Sequence, residues 1–169
     1  HISAAKSMAN ALVAQSGAQT ALLAARGATG PLAILDSEYG LRALFANGDT
    51  ATLAHAFPPG GAILRARMKA YPCVNTAQGA AASALALHKM LRNGSDALDE
   101  IELTMTGFPV IERQQTDAAR NNPLTREAAD HSFPFIVAVS VIDGAFGLAQ
   151  FENERWRDPR VIALMQKIR

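Results

Sequence analysis

The chain has 169 residues, of which 49% are hydrophobic and only 6% aromatic, and its formal net charge is +1. This length suits one domain or two small ones with a buried core, and an Ala-rich, aromatic-poor composition favours close-packed helices over a β-sandwich. The near-balance of charge, without a basic block, argues against nucleic acid as a partner. The single cysteine, Cys73, has no partner for an internal disulfide, which fits a cytoplasmic location.

The first segment predicts one long helix from Ser3 to Arg26. Ala and Leu dominate it, Ser3 is a candidate N-cap, and Gly27 suits the position after the last turn. The uncharged stretch from Ser7 to Ala25 is long enough to raise the question of a membrane span, but its amides would need partners in lipid. We therefore expect no membrane partner, and a helix buried on more than one side within a larger helical bundle.

Two short helices, over residues 31–36 and 40–45, are predicted next. The best linker candidate is Pro58-Pro59-Gly60-Gly61, because two rigid residues precede two flexible ones. We place a domain boundary there, between residues 60 and 61. Residues 63–71 predict a strand or extended chain, and residues 76–91 predict a helix with apolar positions at helical spacing.

One strand and three helices are predicted in the remainder of the chain. Apolar and polar residues alternate over residues 99–106, which predicts a half-buried strand. Helices are predicted over residues 110–120 and over residues 125–143, the latter with Thr125 as N-cap, Gly144 as stop and a break near Asp130 caused by Pro134. A last helix, capped by Asp158, is predicted to run toward Lys167. A single strand is not stable alone, so its partners must be residues 63–71, undetected strands or strands outside this chain.

The sequence contains none of the local motifs for metal, dinucleotide or nucleoside-triphosphate chemistry. It has no H-E-x-x-H, C-x-x-C or G-x-G-x-x-G, and no phosphate-loop lysine. No cofactor and no metal site are therefore predicted. Three other places remain that could carry chemistry.

The first place is Lys6, a single charge near the start of an Ala-rich helix. It is either a solvated surface lysine or a cation that binds a carboxylate beside the N–H groups of a helix N-terminus.

The second place is the segment from Lys69 to Gln78. A lysine followed by a rigid proline and the start of a helix makes an anion pocket. Its candidate substrate-binding residues are Lys69, Tyr71, Asn75, Thr76 and Gln78. The alternative is that Asn75 or Thr76 caps the helix and that Lys69 is solvated.

The third place is Asp130-His131, beside the predicted helix break. A histidine next to an aspartate can act as an acid or base whose strength is adjusted by its neighbour. Adjacent helical residues point in different directions, however, so Asp130 need not contact His131. The alternative is a structural histidine bonded to the backbone.

Taken together, these features resemble the MmgE/PrpD family, which includes 2-methylcitrate dehydratase, cis-aconitate decarboxylase and iminodisuccinate epimerase. Three stretches carry the resemblance in order: Lys6 to Pro31 with its Gly-Ala-Thr-Gly-Pro exit, Lys69-Ala70-Tyr71-Pro72, and Asp130-His131-Ser132-Phe133-Pro134-Phe135 through Ile142-Asp143-Gly144. The resemblance implies a mainly α fold with a smaller α+β part. Residues 1–60 would end an all-helical domain, and residues 61–169 would form part of an α+β lid domain.

The resemblance also implies a homodimeric, metal-free cytoplasmic enzyme that acts on a small polycarboxylate. Lys6 and Lys69 would face substrate carboxylates from the two sides of the cleft between the domains. Two departures stand out: Val74 occupies the position of a histidine in a family decarboxylase, and Phe135 replaces the tyrosine of an S-x-P-Y motif. The family's catalytic Asp and His residues come from a helical region before the first stretch, so the chain is expected to be a fragment that is inactive alone.

The reaction predicted from the resemblance is that of a hydro-lyase, namely dehydration of the 2-methylcitrate dehydratase type in propionate metabolism. Removal of an α-proton develops enolate-like charge, which Lys6 and Lys69 would stabilise. The catalytic candidates are Lys6, Lys69 and His131, with His131 only a second choice for the base. The alternatives are an epimerase or decarboxylase of a related diacid or triacid, and a non-catalytic helical remnant or interaction module.

Overall fold

The computed structural model describes residues 4–35, 37–45, 64, 66, 68–92 and 94–169. These residues contain eight α-helices and no β-strand. The helices are α1 (Ala4–Ala25), α2 (Leu41–Phe45), α3 (Gln78–Met90), α4 (Pro109–Gln115), α5 (Ala118–Asn121), α6 (Arg126–Ala129), α7 (Phe133–Asp143) and α8 (Pro159–Met165). Three 3₁₀ stretches lie at Asn75–Ala77, Ser95–Ala97 and Leu148–Arg157.

The chain divides into two compact units, one made of His1–Met8 with Lys69–Arg169 and the other of Ala9–Met68. The predicted boundary between residues 60 and 61 lies outside the described residues and stays a prediction. Residues 63, 65 and 67 of the strand or extended segment predicted over residues 63–71 also lie outside them, and the described residues of that segment form no strand.

The described residues of the unit Ala9–Met68 form mainly helix and turns. The long helix is confirmed, and Gly27, with a φ of +91°, follows its last turn as predicted. The expected burial of α1 on more than one side is wrong, since all its described side chains are exposed, including Val13 at 72%. The reason is that the described residues of this unit supply no second long helix to cover it. Residues 32–35 form turns instead of the helix predicted over residues 31–36, whereas α2 matches the prediction over residues 40–45.

Helix α7 lies at the centre of the other unit, with α3 and α8 packed against it. Its sequence is apolar on all faces, which is typical of a fully buried helix, and every residue from Phe135 to Val141 is buried. The face of α3 that packs here is made of alanines, including Ala81 at 0% exposure, so the two helices approach closely. The rings of Phe135, Phe146 and Phe151 extend this core on one side.

The predicted break in the helix over residues 125–143 is confirmed. The Thr125 hydroxyl caps α6 by accepting a hydrogen bond from the Ala128 amide at 3.2 Å. The Ser132 hydroxyl caps α7 by accepting from the Phe135 amide, also at 3.2 Å. Pro134 lies in the first turn of α7, where its missing N–H costs no helical hydrogen bond. Asp130 and His131 therefore lie between two helices rather than within one.

The strand predicted over residues 99–106 is not formed. The segment makes an isolated parallel bridge between Ile101 and Ile168, extended by a hydrogen bond from the Leu103 amide to the Arg169 carbonyl. The predicted sidedness is correct, because Ile101, Leu103 and Met105 face the core while the residues between them are exposed. Alternation determines which side is buried, but a sheet needs a neighbouring strand. The described residues supply none, and they show no α+β lid.

The helix predicted over residues 110–120 is two helices, α4 and α5, because Asp117 starts a new helix by accepting from the Ala119 amide. The predicted cap of the last helix is confirmed, since the Asp158 carboxylate accepts from the Arg160 amide at 2.8 Å. Within the part of the chain that the structure describes, no one helix combines the length and the apolarity needed to cross a membrane.

Candidate functional site

Lys6 contacts His131, although 125 positions separate them in the sequence. The Lys6 ammonium Nζ lies 2.5 Å from His131 Nε2. Lys6 belongs to the exposed first turn of α1, and His131 follows the end of α6. The structure thus joins the first and third places that the sequence analysis selected.

His131 is held at both ring nitrogens. Its Nδ1 lies 3.0 Å from the Glu127 carbonyl oxygen and in contact with an Asp130 carboxylate oxygen, and only 13% of its side chain is exposed. The expectation that Asp130 need not contact His131 assumed helical geometry. The two residues meet because the helix has ended at Asp130. The alternative of a backbone-bonded histidine is also correct, since Glu127 supplies that bond.

The loop that carries Lys69 is braced by Gln78. The Gln78 Oε1 accepts hydrogen bonds from the Ala70 and Tyr71 amides, both at 3.0 Å. Its Nε2 donates to the Tyr71 carbonyl at 3.0 Å and contacts the Cys73 sulfur at 3.2 Å. Both ends of the Gln78 amide are therefore occupied by the loop itself. A direct contact between Gln78 and substrate stays a prediction.

The same loop is attached to Asp130. The Val74 amide donates to the Asp130 carbonyl oxygen at 2.8 Å, and the Asp130 carboxylate contacts His131. Asp130 therefore connects the Lys69 loop, through its backbone, with Lys6, through His131. The side chains of both lysines are exposed.

The remaining predicted side chains have different surroundings. Tyr71 is half-buried, with its ring centroid 6.2 Å from that of Phe146. The Thr76 hydroxyl donates to Gln114 Oε1 at 2.6 Å, and Asn75 is exposed. The alternative that Asn75 or Thr76 caps the helix is wrong. A 3₁₀ turn precedes α3, so the cap falls on Ala77, which has no side-chain hydrogen bond to offer.

Two departures from the family motifs have clear structural settings. Phe135 is fully buried and lies against Phe151, with ring centroids 5.6 Å apart. It is therefore part of the core. Val74 packs partly buried against the core and offers the site only its backbone amide.

Charges of the site act on the Cys73 thiol, which is 3% exposed. Burial raises the pKa of Cys73 from its ordinary value of 9.0 to about 11, the Lys69 ammonium lowers it, and the Asp130 carboxylate raises it. The thiol therefore stays protonated and unreactive at neutral pH.

This pKa shift predicts a pH dependence of stability. The pKa of Cys73 is higher in the folded chain than in the unfolded chain, so the protonated thiol contributes to the free energy of unfolding. This contribution is complete below pH 9 and is lost as the pH rises toward 11. Between pH 8 and pH 10 we expect the free energy of unfolding of the wild-type chain to fall by about 1.4 kcal/mol more than that of Cys73→Ala. Urea denaturation of both proteins at the two pH values measures the difference. Parallel pH profiles would contradict the prediction.

Two contacts of the site had no clear signal in the sequence. Gln114 bonds Thr76 from a distant helix, and the Glu127 carbonyl is a backbone atom, so neither could be selected by residue type. The sequence shows that Asp130 is next to His131, but it does not show that Asp130 contacts the His131 ring and also accepts a hydrogen bond from the Val74 amide. The described residues contain no group of three or more His, Cys, Asp or Glu side chains able to hold a metal ion.

A cavity of about 590 Å³ lies elsewhere on the same unit. Its lining is Leu103, Gln115, Asn121, Asn122, Phe133, Pro134, Ile162, Met165, Gln166, Ile168 and Arg169. None of the predicted site residues lines it, and Arg169 is its one charged side chain. Its amides and apolar groups do not include an acid or a base.

A family model described as the MmgE/PrpD C-terminal domain matches residues 71–169. The matched span includes Tyr71, Gln78, Asp130 and His131, while Lys6 and Lys69 lie before it. No curated protein matches the chain in a sequence comparison.

Proposed function

Because the chain belongs to the MmgE/PrpD family, we propose that it binds a small polycarboxylic acid with Lys6 and Lys69, as part of a lyase of the 2-methylcitrate dehydratase type. The observation that carries the proposal is the attachment of both lysine-bearing segments to Asp130. Two segments that each carry an exposed lysine and are both attached to one residue suit a ligand with several carboxylates.

The two cations would serve both binding and catalysis. A lysine ammonium forms charge-assisted hydrogen bonds with a carboxylate, which are roughly twice as strong as neutral ones. When an α-proton is removed, negative charge moves onto the neighbouring carboxylate oxygens, and cations already in place stabilise it. Loss of the hydroxyl group from the next carbon, with a proton, then gives water and a double bond.

The base that takes the α-proton is not assigned to a residue of this chain. His131 was the second choice, but both of its ring nitrogens are engaged in this structure. We therefore propose that the base is not among the described residues and that the chain alone does not turn over substrate. Turnover of 2-methylcitrate or cis-aconitate by this chain would contradict that part of the proposal.

Removal of either lysine should weaken binding of 2-methylcitrate. We expect Lys6→Met and Lys69→Met each to raise Kd by about tenfold, the loss of roughly 1.4 kcal/mol expected for one charge-assisted hydrogen bond. Isothermal titration calorimetry measures Kd for each variant. The matched control is Lys89→Met, which removes an exposed lysine from the last turn of α3.

Equal affinity of Lys6→Met, Lys69→Met and Lys89→Met for 2-methylcitrate would contradict the proposed site. A second control replaces the ligand: propionate, with one carboxylate, should bind much more weakly than 2-methylcitrate if two cations share the ligand. Epimerisation or decarboxylation of a related acid would use the same lysines, so only substrate profiling separates them from dehydration.

A non-catalytic interaction module is the second candidate function. The observation that favours it is the exposure of large apolar side chains along α1, namely Met8, Leu12, Val13, Leu22 and Leu23. Homodimer formation is expected from the family resemblance, and analytical ultracentrifugation over a range of concentrations tests it. A dimer without polycarboxylate binding would favour the interaction module over the lyase.

A further inference from the structure

Asp130, His131 and Lys6 form a chain of hydrogen bonds that ends at an exposed ammonium group. We propose that His131 and Asp130 are positioning residues for Lys6. In this arrangement Asp130 holds the imidazole with its proton on Nδ1, and the unprotonated Nε2 holds the Lys6 ammonium in place for the substrate. The substrate in this inference rests on the proposed function, whereas the hydrogen-bond chain does not.

The contact between Lys6 and His131 determines which ring nitrogen carries the proton. An ammonium group has three N–H donors and no acceptor. At 2.5 Å from Lys6 Nζ, His131 Nε2 must therefore be the acceptor and carries no proton. A proton on Nε2 would place two donors face to face, and a doubly protonated ring would also place two like charges in contact.

The other side of the ring leads to the same assignment independently. Nδ1 of His131 faces the Glu127 carbonyl oxygen at 3.0 Å and the Asp130 carboxylate. Both of these groups are acceptors, so they require a proton on Nδ1. The second partner of a histidine commonly sets its tautomer in this way.

The backbone keeps the Asp130 carboxylate beside the ring. Asp130 ends α6, where its amide donates to the Arg126 carbonyl oxygen at 2.9 Å. Its own carbonyl accepts from Val74 at 2.8 Å. Asp130 is therefore fixed at both its N–H and its C=O, which restricts where its short side chain can point.

The burial of the three groups separates their roles. His131 is 13% exposed and has no free ring nitrogen, so it cannot accept a proton from substrate without first losing a partner. Lys6 is exposed and retains two N–H donors beyond the one given to His131. Holding one end of a long, flexible side chain before binding reduces the entropy lost on binding. Lys6 is thus the group that would touch substrate, and His131 acts through it.

The tautomer can be measured without any substrate. Long-range ¹H–¹⁵N NMR spectra of the 169-residue chain, with His131 assigned by comparison with His131→Gln, should show a protonated Nδ1 and an unprotonated Nε2. In Asp130→Ala the populations should shift toward the Nε2–H tautomer, because Nδ1 loses its charged acceptor. A proton on Nε2 in the wild-type chain would overturn the inference even if polycarboxylates bind.

A double-mutant cycle with 2-methylcitrate tests the positioning role. We expect His131→Phe to raise Kd about tenfold in the wild-type background but not in the Lys6→Met background, because the histidine acts only through that lysine. His131→Gln, whose Oε1 can accept from Lys6, should keep most of the affinity. An equal effect of His131→Phe in both backgrounds would show direct contact between His131 and substrate and overturn the inference.

The two measurements separate the inference from the proposed function. One outcome is that no form of the chain binds 2-methylcitrate, while His131 has the Nδ1–H tautomer in the wild type and shifts toward the Nε2–H tautomer in Asp130→Ala. In that case the proposed function fails and the inferred chain of hydrogen bonds stands. If binding depends on Lys6 and Lys69 while the tautomer is the opposite one, the proposed function stands and the positioning inference fails.

Discussion

Replacement of Phe135 by alanine is expected to lower the free energy of unfolding by about 3–5 kcal/mol, the usual cost of removing a buried aromatic side chain. The ring is fully buried and lies 5.6 Å from that of Phe151. The variant loses both the burial of the ring and a favourable pair of aromatic rings. Because α3 and α8 pack against α7, the surrounding structure cannot easily collapse into the space.

Urea denaturation followed by tryptophan fluorescence measures this loss, because Trp156 is the one tryptophan of the chain and is buried in the same core. The matched control is Phe108→Ala, since Phe108 is 62% exposed and its removal should cost less than about 1 kcal/mol. Similar losses for the two variants would show that α7 is not the centre of the fold. A loss at Phe135 alone supports the packing described here.

Replacement of Gly144 by alanine is expected to lower the free energy of unfolding by about 2–5 kcal/mol, from two causes that add. Gly144 ends α7 with a φ of +64°, a conformation that costs an L-residue about 1–2 kcal/mol. A Cβ atom at this position would also lie 2.6 Å from Cδ2 of His88, and overpacking of this kind costs roughly 1–3 kcal/mol. His88 is held in place because its Nδ1 bonds the Val141 carbonyl at 2.7 Å.

The two causes can be separated by a second substitution. In a His88→Ala background the steric part is removed, so Gly144→Ala should cost only the backbone part, about 1–2 kcal/mol. Gly79→Ala is the matched control, because it lies in the first turn of α3 with nothing within 4 Å of an added Cβ. That change should stabilise the chain slightly, by about 0.5–1 kcal/mol. A neutral Gly144→Ala would contradict both arguments.

Helix ends were the most predictable feature of this protein. Thr125 and Asp158 cap the helices that they were predicted to cap, and Gly27 and Gly144 follow the last turns of theirs. These signals depend on the conformation of a few neighbouring residues, so a local sequence is sufficient to find them. The break between α6 and α7 was found for the same reason, since it follows from the ring of Pro134.

The buried side of a segment could be predicted from its sequence, but the element that packs against it could not. The alternation at Ile101, Leu103 and Met105 correctly indicated the buried side of that segment, but it could not show whether another strand lies alongside. The composition of α1 indicated an apolar helix that needs neighbours, but not whether the described residues would provide them. Both failures concern what lies opposite an element, which its own sequence does not contain.

The residues of the candidate site could be selected from the sequence, but the contacts between them could not. Residue types and a family resemblance were enough to select Lys6, Lys69 and His131 from the sequence. Only the tertiary structure decided that Lys6 meets His131 across 125 positions and that Asp130 holds both the ring and the Lys69 loop. The physical reason is that caps and turns are set by interactions between near neighbours, whereas a contact between distant residues exists only after the core around α7 has brought their segments together.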